Sequence, residues 1–119
     1  MARTHRDVVQ RAAFRIGMKQ AGQDLEGNIY NELLDALQDY LLELNEEQSL
    51  DFDPTDADAV PEERMGGLVP LFAYSPVFDQ FDQRRGPVER ELLHAAAKRR
   101  FFASVIGESD FVEDYARNY

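Results

Sequence analysis

With 119 residues, 44% of them hydrophobic and including eight Phe and five Tyr, the chain holds enough apolar material for the core of one small domain. It has no cysteine, which excludes disulfides and thiolate chemistry, and no apolar run approaches the ~18 residues of a spanning helix. A formal net charge of −10 argues against a nucleic-acid binder held by phosphate contacts.

The first ten residues, MARTHRDVVQ, carry charge but no apolar signal-peptide core, so the protein is expected to be soluble and to stay where it is made, with no membrane partner. Thr4 with Asp7 three residues on reads as a capping box, Asp standing in for the usual Glu. Val8, Val9, Ala12, Ala13 and Ile16 form one stripe at helical spacing, which predicts a first helix over about residues 5–16 stopped by Gly17. Phe14 falls opposite that stripe beside Arg11 and Arg15, a placement that suits ordinary surface or a subunit contact.

The second predicted helix begins near Asp24 or Asn28, either of which can cap it, and runs to about Glu47. Its core face is Ile29, Leu33, Leu34, Leu37, Tyr40, Leu41 and Leu44. Glu32, Asp35, Asp39, Glu43 and Glu46 fall on the other side, within roughly 80° of one another on a helical wheel. That acid row is a solvated face or a docking face for Arg and Lys of another copy.

The stretch that follows, DFDPTDADAVPEE, approaches the D-x-[DN]-x-[DN]-G-x5-E spacing of a calcium loop, with Asp51, Asp53 and Asp56 early and Glu62 at the twelfth place. The sixth position needs Gly for a sharp turn and is Asp56; the fifth is Thr55, and the eighth, normally apolar, is Asp58. The stretch therefore reads as a polar connector, and neither a metal nor a cofactor is expected. Pro61 suits the first position of a third helix over about residues 61–74, with Glu62 and Glu63 at the positive end of its dipole. Gly66, Gly67 and Pro70 permit close packing or a bend, and Pro76 closes the helix. A turn holding about one helical turn leads to Pro87, which opens a fourth helix ending before Gly107. Its inner stripe is expected to include Val88, Leu92, Ala95, Ala96, Phe102 and Ile106, with Phe101 and Val105 facing elsewhere. No strand alternation appears. The fold class is all-α, a small bundle of about four helices over residues 1–106 with a polar connecting loop and a C-terminal docking segment over residues 107–119.

No motif carries catalysis. The two histidines, His5 and His94, belong to no H-E-x-x-H, and no glycine-rich phosphate loop is present. His94 lies among alanines and reads as a packed or surface residue, so the expectation is a protein that is not an enzyme. In the C-terminal segment Phe111, Tyr115 and Tyr119 recur every four residues, the spacing by which a helix anchors in a groove, on its own domain or on a partner.

Charge is segregated along the chain. Residues 1–20 carry five bases and one acid, residues 21–82 one base and sixteen acids, and residues 83–106 six bases and two acids. Such sorting suits solvated helix faces, or self-association in which the basic surface of one copy meets the acidic surface of the next.

RDVVQRAAFRIGM, residues 6–18, resembles the first helix of the head-to-tail adaptor (head-completion or connector) proteins of tailed bacteriophages, which open on an Asp-Val/Leu-Val-x-x-Ala-Leu-x-x-Ile/Leu-Gly segment. Asp7, Val8, Val9, Ala12, Ile16 and Gly17 match it. IYNELLDALQDYLLEL resembles the family's long second helix, VPEERMGGLVPLFAY its third helix with a Pro-acid start, and PVERELLHAAAKRRFF its Ala- and base-rich fourth. Gly66, Gly67, Pro70 and a short C-terminal tail depart from the family's pattern. The resemblance covers about residues 6–106 in pattern.

It implies a structural virion protein: a ring of usually twelve copies beneath the portal, extending the DNA channel and offering a platform to the tail or nozzle protein. DNA would pass without specific binding, and the protein would sit in the virion neck after assembly in the host cytoplasm. By the same resemblance Phe111, Val112, Tyr115 and Tyr119 would bind the portal, and Arg11, Arg15, Arg99 and Arg100 would be the basic inter-subunit set. Glu32, Asp35, Asp39 and Glu43 would be their acidic partners or line the lumen. Two other classes fit the composition. One is an acidic helical regulator or charge mimic binding a basic partner; the other is a small enzyme built on a carboxylate site.

Overall fold

Four helices carry the fold: α1 (His5–Arg15), α2 (Gly27–Glu47), α3 (Glu62–Ala73) and α4 (Pro87–Val105), with a 3-10 turn at Pro76–Phe78. This is the small all-α bundle the periodicity predicts. The structure, a computed structural model, describes residues 2–20 and 22–105. A pair of two-residue strands, β1 (Ala2–Arg3) and β2 (Val60–Pro61), was not expected; they run antiparallel with Ala2 opposite Pro61 and Arg3 opposite Val60. Two residues are too few to show alternation, so the pairing leaves no trace in the sequence. It ties the N-terminus to the end of the connector. The His5 amide extends that tie by donating to the Ala57 carbonyl at 2.8 Å, and the Arg3 guanidinium joins the Glu62 carboxylate.

The capping box of α1 forms as read. The Asp7 amide donates to Thr4 Oγ1 and the Thr4 amide to Asp7 Oδ2, both at 3.1 Å, satisfying two N–H groups that the helix itself cannot. Val8, Val9, Ala12, Ala13 and Ile16 are all buried. Gly17 ends the helix at φ 86°, and the Met18 amide turns back to the Ala13 carbonyl at 2.9 Å. The positive φ favours glycine there, and a Cβ on Gly17 would lie 2.7 Å from Arg84 Cζ and displace that guanidinium.

α2 starts one residue after Glu26, which makes no side-chain cap, so neither Asp24 nor Asn28 caps it. Leu33, Leu37, Tyr40, Leu41 and Leu44 are buried, but Leu34 is half-buried and Ile29 is 44% exposed. The predicted stripe was too wide at its start. Ile29, in the first turn, lies at the edge of the bundle near Leu25 and Phe81, not at its centre.

α3 is the central element, packed between α1 and α4. Met65, Leu68, Val69, Leu71, Phe72 and Ala73 are buried, as an apolar helix with neighbours on two sides requires. Pro61 is its N-cap in extended conformation, not its first helical residue, because its backbone already belongs to β2. Gly67 allows α4 close: a Cβ there would lie 3.4 Å from the Phe101 ring.

α4 turns a different face inward from the one expected. Val88 and Leu92 are 71% and 68% exposed, and Ala95 and Ala96 are exposed with them, whereas Arg90, Ala97 and Phe101 are buried and Phe102 and Val105 half-buried. Ile106 lies outside the described residues. The rotation is set by Arg90, which is 2% exposed. Its Nη2 donates to the Ala73 and Ser75 carbonyls at 2.9 Å, its Nη1 to Asp82 at 2.5 Å and its Nε to Asp79 at 2.8 Å. A hydropathy stripe assigns an arginine to the outside; this one faces inward because four acceptors satisfy it. The bend after α3 is further filled by Phe78, packed edge-on against Phe72 with centroids 5.0 Å apart.

Candidate functional site

The most distinctive surface is a cleft between α1 and α3. Arg11, Phe14, Arg15 and Lys19 come from α1 and the turn behind it. Met65, Gly66, Val69 and Pro70 form the α3 wall, and Arg84 closes the end from the loop before α4. The volume is about 780 Å³ and no carboxylate among the described residues lines it. Among the described residues none of the four cations makes an ion pair, although Arg3, Arg64, Arg85, Arg90 and Lys98 all do. On a chain of net charge −10, these four cations beside apolar side chains make a local patch of positive charge.

The positions of these cations follow from the fold. Arg15 Nε donates to the Tyr74 hydroxyl at 3.3 Å with its guanidinium 5.7 Å from the ring centre, and Arg85 and Arg90 lie at 5.2 and 6.0 Å from the same ring. Lys19 Nζ donates to the Gln23 carbonyl, and the Arg84 guanidinium rests against Gly17. Phe14, as expected, points outward, at 51% exposure.

Glu32, Asp35, Asp39 and Glu43 are all exposed along one side of α2, as predicted, and make no ion pair among the described residues. Only Glu47 at the end of that helix is engaged, with Lys98 of α4 at 2.8 Å. Arg99 and Arg100 are exposed near the end of α4. They do not line the cleft that holds Arg11 and Arg15; α3 stands between the two helices. Sequence reading missed Lys19 and Arg84. Lys19 lies beyond the helix stop, and Arg84 reaches the cleft from far along the chain, so no local spacing connects either to Arg11. Phe111, Val112, Tyr115 and Tyr119 lie outside the described residues.

Four of the connector's carboxylates are engaged. Asp51 is held by Arg64 at 2.6 Å and Glu62 by Arg3, so the first and twelfth places of the calcium-like spacing face arginines. Asp53 accepts from the Thr55 amide and hydroxyl at 2.9 and 2.7 Å, and Asp56 accepts from the Asp58 amide at 3.0 Å, both as turn residues.

Both histidines are packed within the bundle. Tyr40 Oη lies 2.5 Å from His94 Nε2, linking α2 to α4. Burial pushes the Tyr40 hydroxyl up, while burial and then the Lys98 and Arg90 charges push His94 down, so a neutral imidazole accepts the tyrosine proton. His5 is 3% exposed with no partner at Nε2. Its burial lowers its pKa against the raising pull of Asp56 and Asp58. A histidine held neutral contributes stability that is full above its unfolded value near 6.5 and is lost as pH falls toward the lower folded value. The urea midpoint is therefore expected to drop between about pH 7 and about pH 5, and less so in His5→Leu. An equal drop in wild type and His5→Leu would remove His5 from the effect.

Compared with family models, with curated proteins and with solved structures, the chain matches none.

Proposed function

We propose that this protein is a head-to-tail adaptor of a tailed bacteriophage: a ring subunit that binds beneath the portal, extends the DNA channel and offers a platform to the tail or nozzle protein. The observation that supports this reading is the separation, on one folded subunit, of an acid row on α2 from a basic cleft that no acid lines among the described residues. Two different and complementary surfaces are what a heterologous, ring-closing contact needs. In such a ring Arg11 and Arg15 meet Glu32, Asp35, Asp39 or Glu43 of the next copy, with Arg99 and Arg100 as a second basic set. Twelve copies are expected from the resemblance of residues 6–106. The acidic excess suits a channel through which DNA slides, since like charge gives phosphates no counter-ion release. The role is structural, not catalytic, and its place is the virion neck after assembly in the host cytoplasm.

The C-terminal segment is the part assigned to the portal, with Phe111, Val112, Tyr115 and Tyr119 as contacts. Co-sedimentation with the portal ring of the same genome tests both statements. A fixed multiple of copies per portal is expected, reduced in Tyr115→Ala/Tyr119→Ala. A chain that stays at monomer or dimer mass beside an intact portal would instead favour the second reading, an acidic regulator whose unpaired α2 row binds a basic partner.

A further inference from the structure

We infer that the basic cleft between α1 and α3 is the docking site of the chain's own C-terminal segment, residues 107–119. The cleft's chemistry specifies its occupant on two counts. Arg11, Arg15, Lys19 and Arg84 call for carboxylates, and the floor of Phe14, Met65 and Val69 calls for apolar or aromatic groups. A free phosphate satisfies only the first demand. The sequence ESDFVEDY, residues 108–115, satisfies both, with Glu108, Asp110, Glu113 and Asp114 set around Phe111 and Tyr115. Two other stretches outside the four long helices combine acids with aromatics, and both are in use. In FDQFD, residues 78–82, Phe78 is buried and Asp79 and Asp82 are held by Arg90. The connector, residues 51–63, holds one Phe, with Asp51 and Glu62 already paired with arginines.

Chain geometry favours the segment of the same copy. Phe101 lies against Gly67, and the next residue of α3, Gly66, lines the cleft. α4 therefore runs along the side of α3 away from α1, and is described as far as Val105, one turn beyond that contact. Crossing one helix reaches the cleft, a path of the order of 10 Å, whereas the fourteen residues beyond Val105 span at most about 48 Å when extended. A tether this short holds its end at an effective concentration of the order of millimolar, well above that of a second copy in dilute solution.

The docking rests on the chain's own chemistry. Its consequence for assembly rests on the adaptor reading: a segment drawn off by the portal would free Arg11 and Arg15 for the acid row of the next copy, so that rings close on the portal and not before it.

The absence of cysteine makes the test direct. Full-length Ser109→Cys carries a single nitroxide, and amide cross-peaks are compared in a 15N spectrum of the isolated protein with the label oxidised and reduced. The expected result is loss of the Phe14, Gly17 and Lys19 cross-peaks, with those of Asp35 and Asp39 on α2 retained. Arg11→Glu/Arg15→Glu in the same labelled chain should restore the lost peaks, which separates docking from mere proximity to the tether. Both arginines are exposed, so the fold should persist. Full peaks at Phe14 and Lys19 in the oxidised sample overturn the inference. So does an equal loss in unlabelled 15N chains mixed with labelled chains lacking 15N, because the occupant is then another copy's segment. No portal is present, so failure here and failure of the adaptor reading are independent results.

Discussion

Arg90→Ala should destabilise the fold by about 3–5 kcal/mol, the range for breaking a buried ion pair by removing one partner. Against a total of ~5–15 kcal/mol for a domain of this kind, that is close to unfolding it. The two carboxylates do not share the loss equally. The Asp79 side chain is 61% exposed and returns to water, whereas that of Asp82 is 0% exposed and would be left charged and buried. The Ala73 and Ser75 carbonyls lose their donors as well. Burial alone would raise the Asp82 pKa, but the Arg84 amide and the Arg90 and Arg85 guanidiniums outweigh it and hold the carboxyl below its ordinary value. Its stabilising share is thus present above about pH 4 and lost as pH falls through the lower folded value. A thermal melt at neutral pH should show Arg90→Ala lowered by on the order of 15 °C. Arg90→Met/Asp82→Leu should recover much of that, because an apolar pair removes the orphaned charge. A melt within a few degrees of wild type for Arg90→Ala would mean that the cluster is solvated and contributes little.

How much of the molecule can be read from its sequence depends on how local the cause is. The Thr4–Asp7 cap, the Gly17 stop and the α1 stripe are set by residues within a turn or two of each other, and all three are present in the structure. The rotation of α4 is not local. Leu92 has higher hydropathy than Arg90, yet Arg90 goes inside because acceptors from the α3 end and the following turn meet it there. The cleft is legible only in part for the same reason: Arg11 and Arg15 share a helix face, but Arg84 joins them through tertiary structure. The acid row of α2 needed only one helix, and all five of its predicted members are exposed along it.

Reversing the cleft, in Arg11→Glu/Arg15→Glu, should abolish ring formation while leaving the fold intact. Both side chains are exposed on α1 and neither is in an ion pair among the described residues, so the four-helix fold loses little. At an interface with the acid row of the next copy the same change sets like charges together, which costs on the order of 3 kcal/mol per contact or more. That is over a hundredfold in each association constant, and a closed ring carries the loss at every subunit boundary. The decisive measurement is the rescue. Asp35→Lys/Asp39→Lys on wild type should also block rings, and combining it with the reversed cleft should restore them by exchanging the signs. Rings are scored by analytical ultracentrifugation with portal present, since capture of the C-terminal segment would be what opens the cleft. Restoration in the combined variant requires the cleft and the α2 row to face each other. Failure of the combination, with circular dichroism showing intact helices in all three proteins, would place the inter-subunit contact elsewhere on the surface. Arg99 and Arg100, on the far side of α3 from the cleft, would then be the next pair to reverse.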